Sequence, residues 1–343
     1  SDRVRDAAAE ALPLSQLGGY VLGARALALA GVDAASAGVS TFYDLLFEFA
    51  AKVPYVLVGL ALLELARGSE AAALTFGAAQ VSYAAESPNP QADLKAFQKY
   101  FTDKFPKVKL EDFVNGPYSM DEGLYKQWKE KEEFPPYEFA LDAGKELFNK
   151  PFKNGKSFAD CFPNKGIGIR QNYPYFDEKQ GQVVTLELAV NQCLESNGEK
   201  PFSYTKDDMA SVTAYMAFTS RGKPFDIKIP NDPRALEAYE NGKRYFYTRR
   251  GQLNFSCATC HVQSPGDHIR AEVLAPALGI LNAMPIYRSE WGGMGTTSRR
   301  FTSCNSQVRA VPLKPQDDEY RDLEYYLSYV SNGRPISGPG ARP

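Results

Sequence analysis

Apolar residues near the C-terminal end of the chain recur with the period of an α-helix. Leu323, Tyr326, Leu327 and Val330 follow the i, i+3, i+4, i+7 spacing, which places their side chains on one helix face. The pair Asp317-Asp318 precedes this stripe, and carboxylates are favoured near a helix N-terminus. The pattern predicts a helix that buries its apolar face.

A second helix is predicted to begin at Asp232-Pro233. Aspartate is a favoured N-cap residue, and proline is well accommodated in the first helical turn. Gly242 lies inside this helix, where glycine costs about 1 kcal/mol relative to alanine, so we expect a packing reason for it. The reason we expect is a close crossing in which Gly242 and Phe246 face the apolar stripe of the C-terminal helix.

The chain also contains an internal repeat. Gly144–Phe148 and Gly242–Phe246 share the pattern Gly-Lys-x-x-Phe, and each precedes a loop that leads to a Phe and a Cys. Tyr215–Pro224 and Tyr326–Pro335 also match, since each is typical of a helix stopped by glycine with proline two positions later. The sequence therefore predicts a mainly α fold built from two copies of one domain.

The N-terminal part is a different kind of sequence, rich in Ala and Leu. Its uncharged run Val53–Leu63 is too short for a membrane span, which needs about 20 apolar residues. The run fits the apolar part of a signal peptide, with small residues near Ser82–Ala84 as cleavage sites; a helical extension or a membrane-associated segment is the alternative. We predict an apolar extension over 1–85, followed by domains over 86–230 and 231–343.

Composition narrows the classes of function. Of the 343 residues, 44% are hydrophobic and 13% are aromatic, which is enough for two packed cores. The formal net charge is −2 and no stretch carries an obvious basic excess, so no nucleic-acid partner is expected.

The most specific motif is Cys257-Ala258-Thr259-Cys260-His261. Cys-x-x-Cys-His is the attachment signature of a c-type haem, in which both thiols bond to vinyl groups and the imidazole ligates the iron. A redox dithiol or half of a zinc site is the alternative. The chain has only five Cys and two His, which argues against a chance placement. We expect one covalently bound haem c, held by Cys257, Cys260 and His261.

The first copy lacks this motif. Asn164 and Lys165 stand where the second thiol and the imidazole would follow Cys161, so this copy is predicted to be a cytochrome c-like domain without haem. Covalent haem attachment takes place outside the cytoplasm, where other thiols are oxidised. Cys161 and Cys193 are therefore a candidate disulfide.

The second axial ligand of the iron decides the chemistry, and four residues are candidates for it: Met284, Met294, His268 and Cys304. His268 follows His261 too closely to reach the opposite haem face, so we expect it on the surface. Methionine would give a high-potential electron carrier. Cys304 follows two arginines, which favour a thiolate and attract an oxyanion. On residue chemistry alone, methionine and cysteine stay equally supported.

Several segments taken together closely resemble the SoxA family, the haem subunit of the SoxAX complex and an L-cysteine S-thiosulfotransferase. The segments are Arg249–His261, Pro285–Arg288, Trp291-Gly292, Arg299–Cys304 and Val308–Ala310. The resemblance runs from about residue 85 to the C-terminal end, and the N-terminal extension has no counterpart in it. It implies the kind of family member with one haem and an N-terminal disulfide.

The resemblance implies a role for individual residues. His261 would be the proximal iron ligand, and Cys304 would be both the distal ligand and the catalytic sulfur, as thiolate or persulfide. Arg300 matches the family's substrate-binding arginine, one helical turn before Cys304, and its fork of donors suits the sulfonate oxygens of thiosulfate. Arg299 and Arg309 either add positive charge there or lie on the surface.

The resemblance also implies partners and a location. The chain would form a periplasmic heterodimer with the cytochrome SoxX, and thiosulfate would be conjugated to a cysteine of the carrier protein SoxYZ.

Two other functions stay open. One is a thiosulfate dehydrogenase that forms tetrathionate without a carrier, and the other is a simple electron-transfer cytochrome with Met284 or Met294 on the iron.

Overall fold

The computed structural model describes residues 88–269 and 272–342, which belong to one compact unit. The predicted extension over 1–85, with its signal-like segment, lies outside the described residues. Over the described ranges no helix is both long enough and apolar enough to cross a membrane.

The fold is mainly α, as predicted, and consists of two cytochrome c-like copies in tandem. Short 3₁₀ segments connect several of the helices, and a π-helical turn follows the first cysteine of the haem motif. The α-helices are α1 (Pro90–Lys104), α2 (Glu122–Lys131), α3 (Glu138–Asn149), α4 (Leu186–Ser196), α5 (Asp207–Phe218), α6 (Pro233–Tyr247), α7 (Thr297–Gln307) and α8 (Asp318–Tyr329). The 3₁₀ segments are Leu110–Ser119, Phe158–Asp160, Pro163–Gly166, Arg170–Asn172 and Ser289–Trp291, and the π-helical turn is Thr259–Gln263.

The strands are short and form three small sheets. Two of the sheets are antiparallel pairs, β1 with β2 and β3 with β4. In the third sheet β5 lies in the middle, antiparallel to β6 and parallel to β7. The strands are β1 (Tyr175–Asp177), β2 (Gln182–Val184), β3 (His268–Ile269), β4 (Glu272–Val273), β5 (Ile286–Arg288), β6 (Gly293–Gly295) and β7 (Gly340–Arg342).

The two copies share the same close helix crossing. A Cβ atom on Gly242 of α6 would lie 2.0 Å from the carbonyl oxygen of Asp322 on α8. A Cβ atom on Gly144 of α3 would lie 2.0 Å from the carbonyl oxygen of Ser211 on α5. Glycine is needed at both positions because the facing helix backbone occupies the space of a side chain. The predicted crossing and the internal repeat are both confirmed.

The first copy has a core of its own that is built largely from aromatic side chains. Phe148 and Phe158 stack with their ring centroids 5.8 Å apart, and Phe152 meets Phe158 edge-on at 5.1 Å. Phe162, one residue after Cys161, is also buried in this cluster. These rings supply the apolar volume that a small domain would otherwise obtain from a porphyrin.

The predicted disulfide between Cys161 and Cys193 is confirmed. It joins the loop after α3 to α4. Asn164 and Lys165 have left-handed backbones, with φ of 48° and 53°, so this turn follows a different path from the turn at Thr259–Gln263. The two copies therefore differ in backbone where the haem motif is present in one and absent in the other.

The core of the second copy receives side chains from a distant part of the chain. Phe97 and Phe101 of α1 and Phe113 of the following 3₁₀ segment pack in one apolar cluster with residues of α6 and α8. The segment that precedes the first copy in sequence thus covers the second copy in space. The domain boundary at residue 230 stays a prediction.

Replacing Gly242 with alanine tests the helix crossing. Overpacking costs about 1–3 kcal/mol, which exceeds the roughly 1 kcal/mol that alanine gains in a helix interior, so we expect a lower Tm and weaker haem incorporation. Gly123→Ala is the control, because among the described residues its added Cβ would meet a flexible side-chain atom, Oδ1 of Asp121 at 3.2 Å, and no facing helix backbone. Equal thermal melts for both variants would contradict the crossing.

Removing the disulfide tests the stability of the first copy. The disulfide joins cysteines that are 32 residues apart. In the chain-entropy account a cross-link of that span adds about 3–4 kcal/mol to the free energy of unfolding. The double variant Cys161→Ala/Cys193→Ala should therefore unfold at a lower guanidinium concentration by circular dichroism. The haem spectrum of the folded variant should stay unchanged, because neither cysteine of the disulfide lines the cavity with the haem motif. A spectrum that changes with the disulfide would contradict this separation of roles.

Candidate active site

One cavity in the second copy brings together the residues that the sequence singled out. Cys257, Cys260, His261, Arg300 and Cys304 all line it. Its apolar wall is formed by Phe246, Leu281, Ile286, Phe301, Leu323 and Leu327. A largely apolar cavity with two thiols and an imidazole on its wall has the lining that a covalently attached haem requires.

His261 is prepared to ligate iron. Its Nδ1 lies 2.8 Å from the carbonyl oxygen of Ala275, which only accepts, so Nδ1 carries the proton and donates it. Burial lowers the pKa of His261 to about 4 and keeps the ring neutral. Nε2 therefore keeps a free lone pair, and a carbonyl on the other ring nitrogen is the usual support of a metal-ligating histidine.

The motif turn is held in place by local hydrogen bonds. The backbone N–H of Thr259 donates to Oγ of Ser256 at 3.1 Å, and the carbonyl of His261 accepts from the N–H of Ala277 at 2.8 Å. Burial raises the pKa of Cys257 to about 11 and also raises the pKa of Cys260. Both thiols are therefore neutral side chains on an apolar wall, and the residues present fit a haem c.

Helix α7 places the two candidate residues for sulfur chemistry on the cavity. Thr296 caps it by accepting a hydrogen bond from the N–H of Arg299 at 3.0 Å. Arg300 and Cys304 are one turn apart and both face the cavity, as the spacing predicts. Nη1 of Arg300 is buried and has no hydrogen-bond partner within the described part of the chain. A guanidinium in that condition suits an anion beside the Cys304 thiol.

Three further arginines line the cavity, and sequence reasoning assigned them no role: Arg250, Arg288 and Arg342. Arg288 pairs with Glu272, and burial lowers the pKa of both Arg288 and Arg342. With Arg300 included, four arginines and one glutamate of the described residues line the cavity, so its wall is positive overall, as haem propionates and an anionic substrate require. Arg250 and Arg288 lie inside motifs visible in the sequence, whereas nothing near Arg342 marks it.

The other candidate iron ligands are separated by their positions. Met284 lines the cavity. Met294 lies outside it and packs against Tyr137 and Ala210 of the first copy. His268 is exposed on β3, as expected from the sequence.

Arg299 and Arg309, which the sequence left either at the site or on the surface, do not line the cavity. The guanidinium of Arg299 lies 4.4 Å from the ring centroid of Trp291. Arg309 is exposed in the loop after α7. Arg300 is thus the arginine of α7 that reaches the site.

Comparison with known proteins agrees with this arrangement. The chain is 54% identical over 251 residues to the L-cysteine S-thiosulfotransferase subunit SoxA of Chlorobaculum tepidum, with 73% of this chain and 87% of the relative covered. The chain belongs to the SoxA family. SoxA of Allochromatium vinosum is 50% identical over 254 residues, with 74% of this chain and 90% of the relative covered.

The SoxA family is also indicated at the level of the domain and the fold. The family model "SoxA/TsdA, cytochrome c domain" matches residues 143–225, which lie in the copy without the haem motif. The crystal structure of SoxXA from P. pantotrophus is similar with a TM-score of 0.58 and 33% identity, over 64% of this chain and 84% of that one. The first copy is therefore a cytochrome c domain, and haem c is the cofactor of this SoxA-family chain.

Proposed function

We propose that this chain is the cytochrome subunit that oxidatively conjugates thiosulfate to a cysteine of the carrier protein SoxYZ. SoxX is its partner cytochrome, and the complex works in the periplasm. The observation that carries the proposal is the placement of Arg300 and Cys304 on one face of α7, on the wall of the cavity that holds Cys257, Cys260 and His261. A guanidinium whose buried Nη1 has no hydrogen-bond partner among the described residues, one turn from a half-buried thiol, is suited to thiosulfate.

The chain carries one haem in this proposal. Cys257, Cys260 and His261 attach and ligate it in the second copy. Two features of the first copy support this number: Cys161 is already bonded to Cys193, and phenylalanine rings pack in the interior.

Four residues share the work at the cavity. His261 would hold the haem iron from the motif turn, and Cys304 would hold it from α7 and supply the reactive sulfur, as thiolate or persulfide. Arg300 binds the sulfonate oxygens, and Arg288 adds positive charge to the same wall. When bound, the haem supplies an electron acceptor next to the reacting sulfur.

The sulfur chemistry balances in two steps. The terminal sulfur of thiosulfate and the thiolate of Cys304 form an S–S bond, and two electrons leave stepwise towards SoxX. A thiolate of the carrier then attacks the former terminal sulfur of thiosulfate, which is now bonded to Cys304. The bond to Cys304 breaks, and its electron pair stays on the Cys304 sulfur. The product is a carrier cysteine whose Sγ bears –S–SO₃⁻.

Two other functions are separable by experiment. A thiosulfate dehydrogenase would use a second thiosulfate in place of the carrier and release tetrathionate. A simple electron carrier would use Met284 as the distal ligand, and the position of Met284 on the cavity wall favours that alternative over Met294.

The distal ligand is tested by comparing Cys304→Ser with Met284→Leu. We expect one haem per chain in both variants. Cys304→Ser should change the low-spin ferric spectrum and abolish conjugation to SoxYZ, because it removes the ligand and the reactive sulfur together. Met284→Leu preserves side-chain volume and should retain the native spectrum. The reverse pattern would make this chain an electron carrier.

The substrate arginine is tested by Arg300→Met, which keeps much of the side-chain length and removes the charge. Losing a charged hydrogen bond to substrate costs about 1.5–3 kcal/mol, so kcat/KM for thiosulfate should fall about tenfold to a hundredfold. Arg299→Met is the matched control, because this neighbour stacks on Trp291 outside the cavity. If both variants lose the same activity, Arg300 is not specific for substrate.

A further inference from the structure

A buried carboxylate of the first copy contacts the start of helix α7. Glu187, on α4, is only 5% exposed. Its Oε1 accepts a hydrogen bond from the backbone N–H of Thr297 at 2.8 Å, and its Oε2 accepts one from Oγ of Ser298 at 2.6 Å. Nε2 of Gln316 donates to the same Oε2 at 3.0 Å. Thr297 and Ser298 are the first two residues of α7.

These contacts occur where a helix needs them. The first N–H groups of a helix have no partner inside it, and the positive end of the helix dipole favours a negative charge there. Thr296 caps the N–H of Arg299, so the cap and Glu187 together satisfy the N–H groups of Thr297 and Arg299. Oγ1 of Thr296 in turn donates to the carbonyl of Tyr204 at 2.6 Å, and Tyr204 also belongs to the first copy.

The buried polar groups around Glu187 are paired with one another. Arg170 and Glu324 form a second buried pair, 3.8 Å apart, and each is less than one-tenth exposed. Burial raises the pKa of Glu187, while the hydrogen bonds from Ser298 and Thr297 and the charge of Arg170 oppose that rise. Gln316 completes the network by accepting a hydrogen bond from Thr185 at 2.7 Å. The three groups that donate to Glu187 therefore need acceptor oxygens at this position, which a carboxylate provides.

The reactive residues lie close to this anchor. Arg300 follows Ser298 by two residues, and Cys304 is one turn further on. Near its C-terminal end, α7 is tied to the second copy through Asn305, which contacts the hydroxyl groups of Tyr245 and Tyr320, each at 3.1 Å. The first copy thus fixes one end of α7 and the second copy fixes the other.

We infer that Glu187 is a positioning residue that sets, from the first copy, where Arg300 and Cys304 stand in the cavity. The inference rests on the proposed function of those two residues. It gives the copy without a haem motif a direct part in the chemistry: α4 holds the helix that carries the thiol and the guanidinium, although no residue of α4 lines the cavity.

The test uses the haem-loaded chain with its partner cytochrome and compares Glu187→Gln with Glu324→Gln. Glutamine keeps the volume of Glu187 but replaces one acceptor oxygen with an NH₂ group, which faces the donors at the start of α7. We expect kcat to fall about tenfold or more with KM for thiosulfate little changed, because misplaced reacting groups lose rate more than binding. We also expect a second low-spin ferric signal in electron paramagnetic resonance.

Glu324→Gln is the matched control, since it removes an equally buried carboxylate that makes no hydrogen bond to α7. It should lower the unfolding midpoint and leave the ferric signal native. Ser298→Ala is the milder second variant: it removes one donor to Glu187 and should produce the same signal at lower intensity. If Glu187→Gln does not fold, Ser298→Ala decides the question.

Native ferric signals in both Glu187→Gln and Ser298→Ala, at full haem loading, would overturn the positioning role and leave Glu187 a structural residue. The spectroscopic readout does not depend on the reaction product. If the native chain released tetrathionate without SoxYZ, the proposed function would fail while the comparison of ferric signals remained valid.

Discussion

The backbone N–H groups at the start of α7 have no partner within their own helix, and the carboxylate of Glu187 in the first copy supplies one to Thr297. A buried carboxylate is tolerable only when donors surround it, and here two of the three donors, the N–H of Thr297 and Oγ of Ser298, belong to the helix that carries Cys304. Each side of the contact therefore requires the other. Removing either Glu187 or its donors in the intact fold would leave unpaired polar groups buried, so this contact couples the first copy to the start of α7.

The two copies share the same helix crossing but differ in what fills their interiors. Both use glycine to bring two helices into backbone contact, at Gly144 and at Gly242. In the second copy that crossing borders a cavity with attachment residues for a porphyrin. In the first copy phenylalanine rings occupy the interior, and a disulfide joins the loop to α4. A disulfide acts mainly on the unfolded chain, so it stabilises a domain without shaping a cavity.

Much of this could be predicted from local sequence. The Cys-x-x-Cys-His motif, the glycines at the crossings and the pairing of Cys161 with Cys193 each depend on residue type and spacing. What could not be predicted depends on tertiary position. Phe97 packs into the second core although the first copy separates the two in sequence. Glu187 occurs in an ordinary amphipathic stretch, and only the folded chain shows that it reaches Thr297.

The first copy supports the cavity at a second place, and this bears on the iron ligand. Its Arg221 donates to the carbonyl of Pro339 at 2.5 Å, just before the strand that carries Arg342 to the cavity wall. Met294, on the same sheet, is buried against the first copy. Its side chain therefore packs in that contact and not on the cavity wall. Met284 and Cys304 remain as candidate distal ligands, and only Cys304 lies one helical turn from Arg300, whose buried Nη1 has no hydrogen-bond partner in the part of the chain that the structure describes. A positive charge stabilises a thiolate and attracts an anionic substrate, but it does not stabilise an uncharged thioether. The electrostatics of the cavity therefore favour sulfur chemistry at Cys304 over simple electron transfer.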